Sequence, residues 1–289
     1  MTLPEHGELR AGWVEDATRV PGVLDRIAGV PTAAAGYSRK ALALVSMEAQ
    51  KLRHDPTELL TRAVQPALWL IVFGSVFTQI RAIPTGSQSY IAFLTPGILA
   101  QSVLFVAIFY GIAAIWERDL GILHKFMATP TPRTALVLGK ALSAGLRGLS
   151  QVVIIYALAL VLGVTLNWNP LALLGVLAIV LLGAALFSTL SLIIASFVKT
   201  RERFMGIGQL LTMPLFFASN AIYPVSIMPS WLQAIAAVNP MTYMVDALRT
   251  LISVPGAGTN PLALDFAVLG GFALALILIA GRSYEKLVR

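Results

Sequence analysis

Residues 171–197 read LALLGVLAIVLLGAALFSTLSLIIASF, an apolar stretch without a charged side chain. A hydrocarbon core of about 30 Å needs roughly 20 apolar residues in a helix, so this stretch is long enough to cross a bilayer. Similar stretches occur elsewhere in the chain. Together they predict an all-α integral membrane protein with six transmembrane helices, at about 61–80, 91–115, 145–166, 171–197, 205–223 and 263–281.

Bulk composition supports this fold class. Of the 289 residues, 57% are hydrophobic and 12% are charged, and the mean hydropathy is +0.79. These values lie outside the range of soluble globular domains. The net charge of +7 does not predict a nucleic-acid partner, because the basic residues form no single patch. The chain has no cysteine and only scattered histidines, so neither disulfides nor a metal site are predicted.

The basic residues predict the orientation of the helices. Apart from Arg81, Arg147 and Arg249, every Lys and Arg lies before or at the start of the first span, at 116–140, at 199–203 or after the last span. By the positive-inside rule these segments, and with them both termini, are cytoplasmic. The predicted location is the plasma membrane (the inner membrane of a bacterium), where the basic segments meet anionic lipid headgroups.

The chain before the first span divides into two parts. Residues 1–37 mix acidic and basic residues and contain no apolar core, which predicts a mobile cytoplasmic tail without a cleavable signal peptide. Residues 38–54 place apolar side chains at three- and four-residue steps between Lys and Arg residues, which predicts an interfacial amphipathic helix. A soluble amphipathic helix is the less favoured alternative. Residues 38–289 are thus the predicted transmembrane domain.

Between the fifth and sixth spans the sequence predicts an outer hairpin. Two short apolar segments, 231–238 and 241–252, are separated by Asn239-Pro240, and neither is long enough to cross a bilayer. Such a pair predicts a re-entrant hairpin that enters the membrane from the outer side. A single span broken at Pro240 is the alternative, but it would invert the C-terminus against the distribution of charge.

No arrangement of catalytic residues is apparent, and the chain is not expected to be an enzyme. Gly139-Lys140 is followed by Ala141, so the nucleotide-binding pattern G-x-x-x-x-G-K-[ST] is not formed. The acidic residues avoid the middle of every predicted span, where ion- or proton-driven transport would ordinarily require one. Energy for transport is therefore expected to come from another subunit.

Two motifs resemble those of a known family. The first is E-R-x-x-G, a short helix, T-P and then G-K, here Glu117, Arg118, Gly121, Thr129, Pro130, Gly139 and Lys140. The second is N-P-x-x-Y with a later A-L-R, here Asn239, Pro240, Tyr243, Ala247, Leu248 and Arg249. On this layout the chain, over about 38–289, resembles the ABC-2 family of ATP-binding-cassette export permeases, especially the daunorubicin-resistance type of drug and lipid exporters.

The resemblance implies a function and partners. Such permeases pair as two identical or homologous six-span halves, and each half docks one ABC ATPase subunit through a coupling helix between helices 2 and 3. ATP and Mg are bound by that partner, and this chain is expected to hold no cofactor. The implied function is outward movement of a hydrophobic or amphipathic substrate, whether drug, lipid or glycolipid. A polysaccharide exporter is the alternative, and a non-transport scaffold or channel is a less favoured one.

The same resemblance assigns residues to sites. Coupling to the ATPase is assigned to Glu117, Arg118, Asp119, Gly121, His124, Lys125, Phe126, Met127, Thr129 and Pro130. The outer hairpin is assigned Asn239, Pro240, Tyr243, Asp246 and Arg249. Independently of the resemblance, aromatic side chains in the first two spans are a candidate substrate path, although such stripes more often serve helix packing or lipid contact: Trp69, Phe73, Phe77, Phe105 and Phe109.

Three finer expectations concern local contacts. Asp246 and Arg249 lie three apart on a predicted helix and are expected to form an ion pair. The adjacent charges Glu117, Arg118 and Asp119 are not expected to pair with one another, because consecutive helical positions do not face each other. Where many relatives carry L-S-G, this chain has Ala218-Ser219-Asn220, which leaves the geometry at the start of the hairpin open.

The six-span topology predicts which positions an impermeant thiol reagent reaches in intact cells. Single cysteines replacing Ser38, Thr131 or Ser283 should be protected, because those positions are cytoplasmic. Cysteines replacing Asn167 or Gly256 should react, because they lie outside. Mass-shift labelling before and after permeabilisation measures both, and external labelling of Ser283→Cys would contradict the topology.

Overall fold

The computed structural model describes residues 64–80, 83, 88–120, 133–253 and 258–288, apart from the side chains of 133–135 and 283–288. All regular secondary structure in these ranges is helical. The predicted tail at 1–37, the interfacial helix at 38–54 and the coupling helix after Leu120 lie outside the described residues, so these remain predictions.

The described part of the chain forms a series of helices. In chain order they are α1 (Val64–Ile80, including a π-helical turn at Trp69–Phe73), α2 (Tyr90–Asp119), α3 (Arg133–Val161), α4 (Pro170–Phe197), α5 (Arg201–Phe217), α6 (Ser230–Val238), α7 (Pro240–Ile252) and α8 (Leu262–Val288). A single 3₁₀ turn, Val225–Ile227, precedes α6.

Four of these helices, α2, α3, α4 and α8, are long and apolar enough to cross a membrane by length and composition. The other two predicted spans are shorter. The described part of α1 is apolar, and the predicted span begins in undescribed residues. The prediction that the fifth span extends to 223 is wrong, because α5 ends at Phe217 and residues 218–223 form turns. The helix of the third span, α3, begins earlier than predicted, at Arg133 rather than 145, and ends earlier, at Val161 rather than 166.

Several helices begin where the sequence provides a capping side chain. Ser89 accepts a hydrogen bond from Ala92 N (3.3 Å), Asn169 accepts one from Leu171 N (2.9 Å), and Thr200 accepts one from Arg203 N (3.4 Å). Pro170, which has no N–H to satisfy, occupies the first position of α4. Side-chain oxygens at these positions satisfy amides that have no partner within the helix.

The helix α4 lies at the centre of the described fold. It packs against α2, α3 and α8, and α7 packs against α2, α4 and α8. Small residues on α4 allow α7 to approach closely. A Cβ on Gly183 would lie 2.8 Å from Met244 Cε, and one on Gly175 would lie 2.8 Å from Leu251 Cδ2. Close packing of this kind supplies much of the association energy between helices in lipid, where the hydrophobic effect does not act.

A second close approach joins α2 to the turn after α5. Gly97 on α2 faces the backbone of Ala221, and a Cβ on Gly97 would lie 2.9 Å from both the carbonyl carbon and the Cα of Ala221. Backbone atoms cannot move aside as a flexible side chain can. Glycine at this position therefore allows the turn to rest directly on α2.

We expect Gly97→Ala to destabilise the protein by about 1–3 kcal/mol, because the added methyl forces the turn away from α2. The matched control is Gly206→Ala on α5, where a Cβ would meet nothing within 4 Å. That variant should be neutral or stabilised by up to about 1 kcal/mol, because alanine favours helix more than glycine does. Thermal unfolding in detergent compares the two, and equal stability of the variants would contradict the close contact.

Candidate functional site

The first group of polar residues lies at the Asp119 end of α2. Lys140 Nζ of α3 donates to Glu117 Oε2 at 2.5 Å, and the Lys140 side chain is only 8% exposed. These two residues stand near opposite ends of the first sequence motif. The fold therefore joins both ends of the motif through one ion pair, which ties α2 to α3.

Arg118 ties the same end of α2 to the link between α4 and α5. Its Nη1 donates to Val198 O at 3.1 Å, and its Nη2 donates to Lys199 O at 2.7 Å. These carbonyls follow the last residue of α4, where no amide of that helix remains to bond them. A guanidinium at the end of a helix also interacts favourably with the partial negative charge there.

Asp119 completes the connection to α5. Its Oδ2 lies 3.1 Å from Arg201 Nη2, and the Arg201 guanidinium lies 3.7 Å from the ring centroid of Trp116. Asp119 Oδ1 also lies 3.3 Å from Arg118 Nη2, so the expectation that these adjacent charges would not pair is wrong. Asp119 is the last residue of α2, where the helix no longer holds neighbouring side chains apart.

These contacts form one unit, which we call the Asp119 cluster: Trp116, Glu117, Arg118, Asp119, Lys140 and Arg201, with the carbonyls of Val198 and Lys199. Single exposed ion pairs contribute little to stability, but here three consecutive charges bind three different elements. A displacement of the end of α2 would thus be transmitted to α3 and to the link between α4 and α5. The remaining predicted coupling residues, Gly121, His124, Lys125, Phe126, Met127, Thr129 and Pro130, lie outside the described residues.

The second group lies where α5 ends and α7 begins. Asn239 Oδ1 accepts from Met241 N at 2.9 Å and caps α7, and Pro240 occupies the first helical position. Asn239 Nδ2 donates to Leu215 O at 2.8 Å and to Ala218 O at 2.9 Å. One buried amide therefore satisfies the starting amide of α7 and two carbonyls at the end of α5.

Tyr243 and Tyr223 bind backbone in the same region. The Tyr243 hydroxyl donates to Ala237 O at 2.6 Å and connects α7 back to α6. The Tyr223 hydroxyl donates to Phe217 O at 2.7 Å. Both bonds serve carbonyls at helix ends, which have no partner within their own helix.

Asp246 and Arg249 do not form the expected ion pair with each other. Asp246 accepts from Thr259 N (3.0 Å), Thr259 Oγ1 (2.7 Å) and Asn260 N (2.8 Å), so it holds the segment before α8. Arg249 Nη2 donates to Asn220 O at 2.7 Å, and its guanidinium lies 4.0 Å from the Phe93 ring centroid. Asp246 is thus bound by groups of Thr259 and Asn260, where the sequence predicted Arg249 as its partner.

Asn220 connects these two charged residues. Its Nδ2 donates to Asp246 Oδ1 at 3.3 Å, and its backbone carbonyl accepts from Arg249. We call Asn220, Asn239, Asp246, Arg249 and Thr259 the hairpin cluster. Sequence reasoning identified Asn220 only as a departure from the family pattern. A polar amide inside the predicted fifth span was the signal that it has a bonding role.

The aromatic residues predicted to line a substrate path are divided between several places. On α1, Trp69 stacks on Phe73 with ring centroids 4.3 Å apart, and Phe73 follows Phe77 at 6.2 Å. Phe77 packs against Tyr90 at 5.2 Å. Trp69 and Phe73 also line a surface groove of about 430 Å³ along α1. Part of the stripe thus serves helix packing, and part faces an open groove.

Phe105 and Phe109 lie elsewhere, in the wall of a cavity of about 350 Å³ between α1, α2 and α3. Their rings stack at 5.9 Å between centroids. The cavity also contains three glutamine side chains that sequence analysis had not singled out as a group: Gln65, Gln101 and Gln151. Among the described residues, no group of three or more His, Cys, Asp or Glu side chains could hold a metal ion.

Comparison with known proteins identifies relatives of this chain. The family profile described as ABC-2 type transporter matches residues 39–252. A putative transport permease ycf38 of Cyanophora paradoxa is 29% identical over 205 residues, 70% of each chain. The daunorubicin resistance ABC transporter permease protein DrrB1 of Streptomyces coeruleorubidus is 26% identical over 277 residues, 95% of this chain and 97% of its own. The inner membrane transport permease YadH of Escherichia coli K12 is 26% identical over 229 residues, 76% of this chain and 84% of its own.

The Glu117–Lys140 pair should show energetic coupling. We expect Glu117→Gln and Lys140→Met each to destabilise the protein by about 1–3 kcal/mol, because each change removes one charge of a pair in which Lys140 is buried and Glu117 is half-buried. The double variant should lose clearly less than the sum. Denaturant unfolding in detergent measures the cycle, with the exposed Glu202→Gln as the matched control. Strict additivity of the two changes would contradict the pair.

Proposed function

The chain belongs to the ABC-2 type transporter family, and on that premise we propose that it is the membrane-spanning permease subunit of an ATP-driven exporter. The observation that carries this proposal is the Asp119 cluster. It fixes the end of α2, directly before the predicted coupling helix, to α3 and to the link between α4 and α5. A docked partner that moves the coupling helix therefore acts on several helices at once.

The energy comes from a separate ABC ATPase, which binds ATP and Mg. Two copies of the ATPase serve two permease halves, identical or homologous, and each ATPase docks on the coupling helix of one half. The predicted interfacial helix at 38–54 lies beside the same docking surface. Closure of the ATPases on ATP moves the coupling helices, and the Asp119 cluster conveys this displacement to the spans. Both termini face the cytoplasm of a plasma membrane, as the distribution of basic residues predicts.

The hairpin cluster is proposed to close the outer end of the path. Its bonds join α5, α7 and the segment before α8 into one body at the end of the molecule opposite the Asp119 cluster. In this proposal 230–252 is a re-entrant hairpin that caps the exit. Release of substrate then requires this body to shift as a unit rather than residue by residue.

The proposed substrate is hydrophobic or amphipathic, in the range of drugs, lipids and glycolipids. The long spans are apolar, and aromatic rings line both the groove and the cavity. The name of the Streptomyces coeruleorubidus relative, which connects that protein with daunorubicin resistance, supports the same range. Export of a polysaccharide is the second candidate, because the glutamines of the cavity offer hydrogen bonds that hydroxyl groups use.

Variants at the two ends of the molecule should separate docking from coupling. We expect Phe126→Ala to weaken association with the ATPase, because a buried aromatic anchor supplies much of the affinity in such contacts. Glu117→Ala should leave the complex assembled but hydrolysing ATP with little export. Arg249→Ala should impair export and leave ATPase binding intact. Pull-down of the ATPase, and export measured against hydrolysis in reconstituted vesicles, provide the readouts.

The pattern of the three variants decides the proposal. Wild-type assembly and export in both Phe126→Ala and Glu117→Ala would show that the coupling assignment is wrong. Loss of ATPase binding in Arg249→Ala would place the hairpin on the ATPase side. The exposed Glu202→Gln, at the start of α5 and outside the Asp119 cluster, serves as the control for a loss of charge near the docking side.

A further inference from the structure

The cavity between α1, α2 and α3 holds polar side chains for which the packing of the helices provides no partner. Gln101 and Gln151 are both buried, and Gln65 lies at the rim. Gln151 is 1% exposed, and its Nε2 has no hydrogen-bond partner among the described residues. An unpaired amide donor in an apolar interior is costly unless a ligand or water satisfies it. This cost points to an occupant.

Several other polar side chains in the spans donate to backbone carbonyls. Ser102, which also lines the cavity, donates to Ile98 O at 2.8 Å, and Thr95 donates to Ile91 O at 2.8 Å. The glutamine side chain of Gln151 does not follow this pattern. It is directed into the cavity together with that of Gln101 from the facing helix. The amides are thus available for binding rather than for helix stability.

The depth of the cavity places these amides within the membrane. Gln101 lies about 16 Å along α2 from Tyr90, at 1.5 Å per residue, and Phe109 lies about 12 Å further. A span of about 45 Å for α2 puts both in its central part. A volume of about 350 Å³ is within the range of small-molecule pockets.

The lining determines the chemistry of the occupant. None of the described residues that line the cavity carries a charge, so nothing there neutralises an ammonium or a phosphate. Amide groups both donate and accept hydrogen bonds, which suits hydroxyl and carbonyl groups. The stacked rings of Phe105 and Phe109 add an apolar wall. The cavity therefore favours a neutral polar group over an ionic one of similar size.

The groove along α1 continues from the cavity, and Gln65 lines both. Leu68, Val72 and Phe73 line the groove, and each is well exposed. An apolar chain leaving the cavity would meet these side chains next. The cavity with its amides thus suits the polar part of an amphiphile, and the groove along α1 suits the apolar part.

We propose that the three glutamines bind the neutral, hydroxyl- or carbonyl-bearing polar part of an amphipathic substrate, whose apolar part lies along the α1 groove. This inference rests on the proposed function and names its substrate class. It also assigns Gln65, Gln101 and Gln151 as residues that determine specificity.

The test uses three photoreactive amphiphiles that share one diazirine-bearing alkyl chain and differ only in the head: a glucoside, a trimethylammonium and a sulfate. The full chain is reconstituted into lipid nanodiscs without its ATPase, irradiated with each probe, and the labelled residues are mapped by mass spectrometry. The glucoside should label 64–73 and 101–109 at least about fivefold more than the charged probes, the difference that one good hydrogen bond supplies.

Variants connect the labelling to the amides. Gln151→Leu and Gln101→Leu should each lower glucoside labelling about fivefold, toward the level of the charged probes. Gln151→Leu should melt no lower than wild type, because it removes an unpaired buried donor. Gln209→Leu, an exposed glutamine on α5, is the matched control and should label as wild type. Equal labelling by all three heads, or labelling unchanged in both cavity variants, would overturn the proposal.

The outcome is separable from that of the proposed function. Labelling is measured on the permease alone, whereas docking and export require the ATPase. Head-selective labelling with no ATPase association or export would leave the binding site standing and overturn the exporter. If export is coupled to hydrolysis but labelling does not depend on the head group of the probe, only the binding-site proposal is overturned.

Discussion

A backbone polar group at membrane depth must find its partner within the protein, and the described fold depends on how this constraint is met after Phe217. There α5 stops and the chain turns, which leaves carbonyls that no helix bonds. Asn239, Arg249 and Tyr223 supply the missing donors to Leu215, Ala218, Asn220 and Phe217. The position of α7, and of the segment that Asp246 holds before α8, follows from these few bonds.

At both ends of the molecule, side chains bind backbone carbonyls near helix ends, but the groups that surround these bonds differ. In the Asp119 cluster the partners are largely ionised side chains, several of them half-buried, which water and salt screen. In the hairpin cluster Asp246 and Arg249 are buried, and each binds neutral groups rather than the other. Contacts of the first kind are weakened where they reach water and salt, whereas those of the second kind break only together. This difference suits one end that receives a displacement and another that opens as a unit.

Sequence reasoning predicted the features that follow from composition and spacing, and it was less successful where partners are distant in sequence. Long apolar stretches predicted α2, α4 and α8 closely, because hydrocarbon thickness sets their length. The predicted end of the fifth span was wrong, because Ser219 and Asn220 interrupt the apolar stretch there. Residues 218–223 are instead held in turns by Asn239 and Arg249. Likewise, spacing on one helix suggested that Asp246 would pair with Arg249, whereas the partners that prevail lie at Asn220, Thr259 and Asn260.

Arg118 binds two carbonyl groups, and this choice of acceptor has a consequence for how the protein tolerates change. Every residue carries a carbonyl, so the exposed side chain of Lys199 is free to be exchanged without loss of either bond. Val198 is restricted separately, because its side chain is buried among apolar residues. The length of the link is a different matter, because inserting or deleting one residue between α4 and α5 would carry both carbonyls away from the guanidinium. The residue type at position 199 can therefore vary, whereas the number of residues in the link cannot. No other side chain replaces the guanidinium of Arg118, which donates to both carbonyls.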